Sequence, residues 1–267
     1  MKQPLASIHP EAKIADNVKI DPFVTIDKDV EIKEGTWIGP NVAIMNGARI
    51  GKNCRIFPGA VISAIPQDMK FSGEDSTAEI GDNTTIREFA TINRATKASY
   101  RTVIGKNCLV MAYVHVAHDC RIGNNVILAN AATMAGHIVV DDWAIVGGLS
   151  AIHQFVHIGK HVMIAGGSLI SKDVPPFVKA ARYPLRYVGV NSVGLRRREF
   201  SNDKIREIQE IYRFLYLKGL NNSKAVEYIE TNMPVSKERD EIIEFVKNSD
   251  RGIMKGYFQE KNHYTLK

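Results

Sequence analysis

The sequence predicts a mainly-β fold: a parallel β-helix of hexapeptide repeats followed by a small α-helical C-terminal domain. An aliphatic residue recurs at every sixth position from Ile8 to Ile170, and 25 of these 28 positions hold Ile, Val, Leu or Met. A period of six fits neither an α-helix nor an alternating strand, whereas short hexapeptide repeats are typical of a parallel β-helix. After Ser201 the apolar spacing becomes helical, which predicts a change of architecture there.

Each hexad is predicted to be a short strand followed by a corner. Glycine or asparagine often follows the aliphatic residue, as in Ile50-Gly51-Lys52-Asn53, and both residues tolerate the tight turns that a corner needs. Three hexads would make one triangular coil of about 18 residues, stacked on the next coil at the strand spacing of ~4.8 Å. We therefore expect about nine coils.

Two segments interrupt the repeat. The three positions of the series without an aliphatic residue are Asp68, Glu74 and Ala98. The polar stretches around them predict projecting loops at about residues 63–79 and 93–103, and loops that leave a rigid scaffold often carry function. We expect the β-helix, with these two loops, to span residues 1–187.

The helical domain is expected to span residues 188–267. The tandem prolines of Asp173-Val174-Pro175-Pro176 cannot donate to a strand ladder and should end the sheet. Apolar residues recur at helical spacing after Ser201, after Asn222-Ser223 and after Ser236, which predicts three short helices. Each would need tertiary packing to be stable.

The charge balance suits an anionic partner. The 267 residues carry a formal net charge of +6, which fits a nucleotide diphosphate, an acidic carrier protein, a membrane surface or nucleic acid. Nucleic acid is the weakest of these, because no aromatic platform or reading helix accompanies the basic run Arg196-Arg197-Arg198. With no targeting segment and no apolar run of ~18 residues in view, a cytoplasmic protein without a transmembrane segment is expected.

Three cysteines are too few for a disulfide framework. Cys54, Cys108 and Cys120 each lie four residues after a position of the sixfold series, in a slot that elsewhere holds small or β-branched residues. We expect them to be small buried side chains without a catalytic or metal-binding role.

Three histidines are predicted to converge on one edge of the β-helix. His118, His137 and His153 occupy nearly the same position in successive coils, so His118 and His137 should lie about one strand spacing apart. Histidine is suited to proton transfer near neutral pH. Gly136 shares the position of His118 one coil later, and its backbone N–H could stabilise an oxyanion, although a glycine that only turns a corner explains it equally well.

Two other interpretations of the histidine cluster are open. A zinc site like that of the β-helical carbonic anhydrases could use the spacing in His115-Val116-Ala117-His118, but it would not account for the loops or the helical domain. A non-catalytic hexapeptide scaffold would not need stacked histidines beside a glycine.

Several motifs point to one family. They are His115-Val116-Ala117-His118-Asp119-Cys120, Gly136-His137, Ala151-Ile152-His153-Gln154-Phe155, Asp173-Val174-Pro175-Pro176, Gln67-Asp68-Met69-Lys70-Phe71 and Gly194-Leu195-Arg196-Arg197-Arg198. Together they resemble the acyl-[acyl-carrier-protein]–UDP-N-acetylglucosamine O-acyltransferases of lipid A biosynthesis, a hexapeptide-repeat acyltransferase family. The repeat alone is unspecific, whereas the loop motif, the histidine set and the helical C-terminal part together are specific.

The resemblance implies a homotrimer of left-handed parallel β-helices with active sites between adjacent subunits. It implies transfer of an (R)-3-hydroxyacyl group from acyl carrier protein to the 3-hydroxyl of UDP-N-acetylglucosamine, the first step of lipid A and lipopolysaccharide biosynthesis. It implies no cofactor and no metal ion, because the phosphopantetheine thioester of the carrier is itself the donor substrate.

The resemblance also implies a role for individual residues. His118 matches the general base, Gly136 the oxyanion donor, and Asp119 a residue that would orient His118 if the chain turns a corner there. Gly166 matches the floor of the acyl groove, where a missing side chain predicts a long hydroxyacyl chain. Val193 departs from the family, which carries an acidic residue near the nucleotide. The implied substrate-binding residues are Gln67, Asp68, Lys70, His115, His137, His153, Gln154, Asn191, Arg197 and Arg198, with Asp68 and Lys70 reaching across the subunit boundary.

A related alternative is the N-acyltransferase that acts on UDP-3-O-acylglucosamine later in the same pathway. It shares the β-helix and a catalytic histidine but carries an additional uridine-binding domain before its repeats. Because the repeat begins at Ile8, we expect the O-acyltransferase.

Overall fold

The computed structural model describes residues 5–256, so that the outer ends of both predicted domains, residues 1–4 and 257–267, lie outside the described residues. The first strands are β1 (Ser7–Ile8), β2 (Lys13–Ile14), β3 (Lys19–Ile20), β4 (Thr25–Ile26), β5 (Val30–Ile32), β6 (Trp37–Ile38), β7 (Ala43–Ile44), β8 (Ala48–Ile50), β9 (Arg55–Ile56), β10 (Val61–Ala64), β11 (Thr77–Ile80), β12 (Thr85–Ile86), β13 (Thr91–Asn93) and β14 (Arg101–Ile104). The next are β15 (Leu109–Val110), β16 (His115–Val116), β17 (Arg121–Ile122), β18 (Ile127–Leu128), β19 (Thr133–Met134), β20 (Val139–Val140), β21 (Ile145–Val146), β22 (Ala151–Ile152), β23 (His157–Ile158), β24 (Met163–Ile164), β25 (Leu169–Ile170), β26 (Val178–Ala181) and β27 (Arg186–Val190). Four helices follow, α1 (Ser192–Arg196), α2 (Asn202–Leu217), α3 (Asn222–Asn232) and α4 (Lys237–Lys247), and then β28 (Lys255–Gly256).

The strands form three sheets, which are the sides of a triangular β-helix. Sheet 1 begins with β1, β4 and β7 and ends with β25; sheet 2 begins with β2 and β5 and ends with β23; sheet 3 runs from β3 through β24 to β26, β27 and β28. Successive strands belong to successive sheets, and strands of adjacent coils pair in parallel and in register, as Val116 does with Met134. The predicted mainly-β fold with a small helical C-terminal part is confirmed.

The sixfold series fills the interior. Its residues are the inward-facing members of the strands, and Ile38 and Ile62 are completely buried. Cys54, Cys108 and Cys120 are buried free thiols, as predicted. Burial raises the pKa of Cys120 to about 12, so this thiol is an inert part of the core.

Two insertions leave the β-helix at the same edge, between sheets 1 and 2. The segment after β10 makes the step from Ile62 to Ile80 twelve residues longer than the regular step of six, and the segment after β13 makes the step from Ile92 to Ile104 six residues longer. Because both lengths are multiples of six, the phase of the repeat survives. At three strands per coil, the 25 strands β1–β25 make just over eight coils, close to the predicted nine.

Both loops are shorter than predicted. They span residues 65–76 and 94–100, because β11 begins at Thr77 and β14 begins at Arg101, inside the predicted ranges 63–79 and 93–103. The outward-facing Thr77, Glu79 and Arg101 are polar, which gives these segments the composition of a loop, whereas the inward-facing Ala78 is fully buried.

The tandem prolines do not end the sheet, contrary to the prediction. After the prolines at 175–176, β26 pairs in parallel with β24 and antiparallel with β27. Pro176 lies in a turn and Pro175 directly before it, outside the named strands, where no ladder hydrogen bond is needed, so the sheet resumes at Val178. The predicted boundary between residues 187 and 188 falls within β27, and the helices begin at Ser192.

The three predicted helices are present, and they follow a short helix, α1, that the sequence does not predict. Ser201, Asn221 and Ser236 cap α2, α3 and α4, with side-chain oxygens that accept hydrogen bonds from backbone N–H groups. The helices pack on the end of the β-helix, where the buried Tyr212 hydroxyl donates to the Pro176 carbonyl at 2.6 Å. Within residues 5–256, every helix is too short or too polar to cross a bilayer.

Candidate active site

Three successive corners along the edge between sheets 1 and 2 carry the predicted histidines; we call this part of the edge the histidine edge. They are residues 118–119, 136–137 and 154–155, and the second residue of each corner has left-handed φ: 61° at Asp119, 61° at His137 and 65° at Phe155. Because the backbone turns here, neighbouring side chains need not point to opposite faces as they would in an extended strand. The corner that an orienting role for Asp119 requires is therefore present.

His118 is held by Asp119. The Nδ1 atom of His118 lies 2.7 Å from Oδ2 of Asp119, and only 7% of His118 and 5% of Asp119 are exposed. When Nδ1 donates to the carboxylate, Nε2 is left without a proton and can accept one. The pair has the geometry of a general base with an orienting carboxylate.

The Asp119 carboxylate also accepts hydrogen bonds from the second loop. The hydroxyls of Thr96 and Ser99 donate at 2.8 and 2.5 Å, and their backbone N–H groups donate at 3.3 and 3.1 Å. Burial alone would raise the pKa of Asp119, but the hydrogen bonds from Ser99, His118 and Thr96 outweigh it and hold the pKa below its ordinary value. Asp119 is therefore ionised at neutral pH and can stabilise a protonated imidazole.

Gly136 lies directly against His118. A Cβ atom added to Gly136 would lie 2.5 Å from Cε1 and 2.8 Å from Nε2 of His118, so a larger residue cannot fit unless the imidazole moves. Gly136 is a buried residue, and its N–H donates to no acceptor among residues 5–256. This unpaired donor is available to a substrate oxygen beside His118.

Two further histidines flank His118. Nδ1 of His115 lies 2.7 Å from the Thr91 hydroxyl oxygen, and the ring of His137 packs edge-on against His118 with centroids 5.1 Å apart, which confirms the predicted spacing. Burial, followed by the proximity of His118, lowers the pKa of His115. Burial also lowers the pKa of His137, against the opposite effect of Asp119. Both rings are therefore neutral near pH 7.

The first loop places Asp68 beside His118 of its own chain. Oδ2 of Asp68 lies 3.9 Å from Nε2 of His118, and Oδ1 accepts a hydrogen bond from the Lys70 N–H at 2.9 Å. This corrects the expectation that Asp68 reaches the site across a subunit boundary, because the loop and His118 share one edge. The side chains of Gln67 and Lys70 are exposed beside it.

The third predicted histidine lies on the same edge, one coil beyond His137. His153 is exposed, and its Nδ1 lies 3.1 Å from the carbonyl oxygen of Gln154. The next residue, Phe155, stacks on His137 with ring centroids 4.6 Å apart. The histidine edge therefore continues past His118 as a partly aromatic surface.

Asn191, Arg197 and Arg198 lie near a different edge, between sheets 2 and 3. Asn191 caps α1 and donates from Nδ2 to the carbonyl of His161 at 2.9 Å. The guanidinium of Arg198 lies 5.0 Å from the centre of the Trp143 ring and donates to the Trp143 carbonyl. Burial, followed by the neighbouring Arg197, lowers the pKa of Arg198, which nevertheless remains a cation at neutral pH.

Gly166 lies on the third edge, between sheets 3 and 1. A Cβ atom there would meet only the backbone of Gly148, with its oxygen at 3.1 Å. Val193 is 58% exposed on α1 and offers no charge to a ligand. The predicted site residues thus occupy three edges of the β-helix, and a single chain does not bring them all together.

His118, Asp119 and His137 offer three ligand atoms within 4.8 Å of one another, a spacing that could hold a metal ion. Their hydrogen bonds do not favour this use. A metal bound by His118 Nδ1 and Asp119 would have to break their 2.7 Å contact, and both carboxylate oxygens already accept hydrogen bonds from Thr96 or Ser99. The residues fit a hydrogen-bonded catalytic pair better than a zinc site.

Sequence reasoning missed the residues that hold this cluster in place. Phe155 could have been found, because it occupies the corner position of Asp119 two coils later. Thr91 pairs with His115 across adjacent coils, and the repeat register could have identified it. Thr96 and Ser99 lie on an insertion, which the register does not cover.

Comparisons with known proteins agree with these observations. Residues 173–254 match the family model for UDP-N-acetylglucosamine O-acyltransferase, domain 2. Residues 29–64 and 101–136 match the model for the bacterial transferase hexapeptide (six repeats). An acyl-[acyl-carrier-protein]–UDP-N-acetylglucosamine O-acyltransferase from Janthinobacterium sp. (strain Marseille) is 43% identical over 257 residues, which are 94% of this chain and 98% of that protein.

Solved structures share the architecture. A UDP-N-acetylglucosamine acyltransferase from Bacteroides fragilis is 53% identical with a TM-score of 0.94, covering 96% of this chain and 100% of that one. The enzyme of the same name from Francisella novicida is 39% identical with a TM-score of 0.93, covering 98% of this chain and 95% of that one. The resemblance read from the motifs is confirmed, and the chain belongs to the acyl-[acyl-carrier-protein]–UDP-N-acetylglucosamine O-acyltransferase family.

Proposed function

We propose that this chain transfers an (R)-3-hydroxyacyl group from acyl carrier protein to the 3-hydroxyl of UDP-N-acetylglucosamine, the first step of lipid A biosynthesis. The names of the relatives supply the acyl donor and the acceptor. The observation that carries the proposal is the position of His118, between the carboxylate of Asp119 and the free N–H of Gly136. A general base beside an oxyanion donor is what acyl transfer requires.

In the proposed mechanism His118 acts first as base and then as acid. Its Nε2 takes the proton of the 3-hydroxyl as that oxygen attacks the thioester carbonyl carbon. The N–H of Gly136 stabilises the resulting oxyanion. When the C–S bond breaks, protonated His118 returns the proton to the phosphopantetheine thiolate, and the ester is released. Asp119 stabilises the transient imidazolium throughout, and no cofactor or metal ion enters the cycle.

The acceptor sugar would lie between His118 and the first loop. The 3.9 Å separation between Asp68 and Nε2 of His118 is too long for a direct hydrogen bond and leaves space for a sugar hydroxyl to bridge the two groups. We assign the remaining contacts on this side to Gln67, Lys70, His115, His137, His153 and Gln154. Because the rings of His115 and His137 are neutral, they can hydrogen-bond sugar hydroxyls without placing a second cation beside the base.

The nucleotide would be held by Asn191, Arg197 and Arg198, and we propose that an adjacent subunit supplies them. These residues lie near a different edge from His118, so a homotrimer with active sites between subunits would bring them together. An apolar row on the outward face of sheet 3 supports this assembly, because a second copy would cover it. The row consists of Leu109, Ile127, Ile145 and Met163.

The reaction is tested with the purified chain, UDP-N-acetylglucosamine and (R)-3-hydroxyacyl carrier protein. The expected product carries one acyl ester at the 3-oxygen, identified by its mass and its alkaline lability. Acylation of nitrogen in UDP-3-O-acylglucosamine would instead indicate the related N-acyltransferase. No transfer to either acceptor would refute the proposal.

The shared site is tested by mixing two inactive variants. His118→Ala removes the base, and Asn191→Ala with Arg198→Ala removes the nucleotide contacts. If each site uses both subunits, random mixed trimers should recover about a quarter of wild-type activity, because each mixed trimer has one site that combines intact residues. If every site lies within one chain, mixing will restore nothing.

A further inference from the structure

We propose that Thr96 and Ser99 are positioning residues for the reaction: their hydroxyls hold Asp119 in place and, through Asp119, set the orientation of His118. The inference rests on the proposed function, in which His118 is the general base. It gives the second loop, residues 94–100, a defined task in the site.

The loop supplies donors to both oxygens of the Asp119 carboxylate. The Thr96 hydroxyl donates to Oδ2 at 2.8 Å, while the hydroxyl and the N–H of Ser99 donate to Oδ1 at 2.5 and 3.1 Å. The N–H of Asp119 in turn donates to the Thr102 hydroxyl at 2.9 Å. The Thr96 N–H is shared between the two oxygens at 3.3 Å, and His118 Nδ1 lies 2.7 Å from Oδ2. With about four lone-pair positions on a carboxylate, Asp119 is saturated by the protein.

These donors replace the water that burial removes. The Asp119 side chain is 0% exposed, and a buried carboxylate without hydrogen-bond donors would be strongly disfavoured in its charged form. The insertion between Ile92 and Ile104 folds over the corner that carries Asp119. It thereby brings the hydroxyls of Thr96 and Ser99 to the Asp119 carboxylate. Without their hydroxyls Asp119 would be free to rotate or to take up a proton, and His118 would lose its fixed partner at Nδ1.

If the second loop had only a structural role, its variants would show different kinetics. Loss of its hydrogen bonds would lower stability, and it would affect catalysis only through unfolding. A positioning role instead predicts a fall in kcat with little change in KM for UDP-N-acetylglucosamine, because substrate binding relies on other groups, including Asp68, His115 and His137. It also predicts that the effect depends on the Asp119 carboxylate.

The test compares Thr96→Val, Ser99→Ala and the double variant with wild type. We expect each single change to lower kcat about tenfold and the double change about 10²-fold, the cost of a small misplacement of a catalytic group, with KM within about twofold. Thr96→Ser keeps the hydroxyl and should remain close to wild type. The matched control is Thr84→Val: its buried hydroxyl donates to the Gly105 carbonyl at 2.8 Å on another edge, and its loss should lower the Tm without lowering kcat.

The decisive comparison repeats the double change in an Asp119→Asn background. If Thr96 and Ser99 act through the carboxylate, their loss should cost no more than about twofold there, because interacting residues give non-additive effects. A full additional loss in that background, a rise in KM at unchanged kcat, or an equal kcat loss in Thr84→Val would each overturn the inference. An inactive wild-type enzyme would instead count against the proposed function itself, so the two failures are distinguishable.

Discussion

Replacing Gly136 with alanine should disable the site while leaving the fold intact. The new Cβ would lie 2.5 Å from Cε1 of His118, about 1 Å inside ordinary contact distance. The imidazole must therefore shift by a similar amount, which would break its 2.7 Å contact with Asp119. A misplacement of about 1 Å can cost 10²-fold in rate, so we expect kcat to fall by about 10²-fold.

The backbone itself should accept the change. The same corner position holds His118 one coil earlier and Gln154 one coil later, so a Cβ atom is compatible with the turn. The loss of stability should therefore come from overpacking against the imidazole, about 1–3 kcal/mol. In a His118→Ala background the obstacle is gone, and Gly136→Ala should then cost almost nothing.

Initial rates of acyl transfer and thermal unfolding of the four proteins in this cycle provide the measurement. Wild-type kcat in Gly136→Ala would refute the placement of His118 against Gly136. Equal destabilisation with and without the imidazole would show that the strain lies in the backbone, not at the catalytic side chain.

Three further predictions concern the donor, metals and pH. Gly166→Met should move the donor preference to shorter hydroxyacyl chains in an assay with donors of graded length; an unmoved preference would remove Gly166 from the acyl groove. Dialysis against a chelator should leave activity unchanged, and activity lost to the chelator and restored by Zn²⁺ would instead favour a metal site at the histidine edge. Burial, followed by Arg198 and Lys160, lowers the pKa of His161 to about 4. The unfolded chain therefore binds a proton more readily than the folded protein, and stability should fall as pH drops from about 6.5 towards 4. His161→Gln should weaken this dependence in Tm values measured at about pH 5 and pH 7.5, and an identical dependence would show that another group is responsible.

The repeat region could be predicted from the sequence because its physics is local and periodic. Each aliphatic residue of the sixfold series faces the interior, so the phase alone identified the core, the buried cysteines and the histidine edge. The number of coils was slightly overestimated, because insertions in multiples of six preserve the phase of the repeat while they remove residues from the β-helix. The prediction that the prolines at 175–176 end the sheet was wrong for a related reason. A residue that cannot donate to a strand ladder is compatible with the sheet when it lies at a turn, and the sequence does not show which positions are turns once the repeat ends.

The catalytic pair shows where sequence reasoning reaches its limit. The register of the repeat predicts that His118 and Gly136 lie together. Asp119 follows His118 in the chain, so it can contact the imidazole if the backbone turns a corner at these two residues. The contacts of Thr96, Ser99 and Asp68 depend on how two insertions fold back over the edge. Their conformation is set by non-local hydrogen bonds to groups such as the Asp119 carboxylate, and no periodicity encodes it.

The role of His118 is tested most directly by the rate of acyl transfer by His118→Ala, compared with wild type and with His9→Ala, a control at a histidine that follows β1 in the first coil. Removal of a general base should lower kcat by roughly 10²-fold or more, with the Tm and the KM for UDP-N-acetylglucosamine little changed, while His9→Ala should match wild type. Near-normal transfer by a folded His118→Ala enzyme would contradict the central claim that His118 is the base at this site.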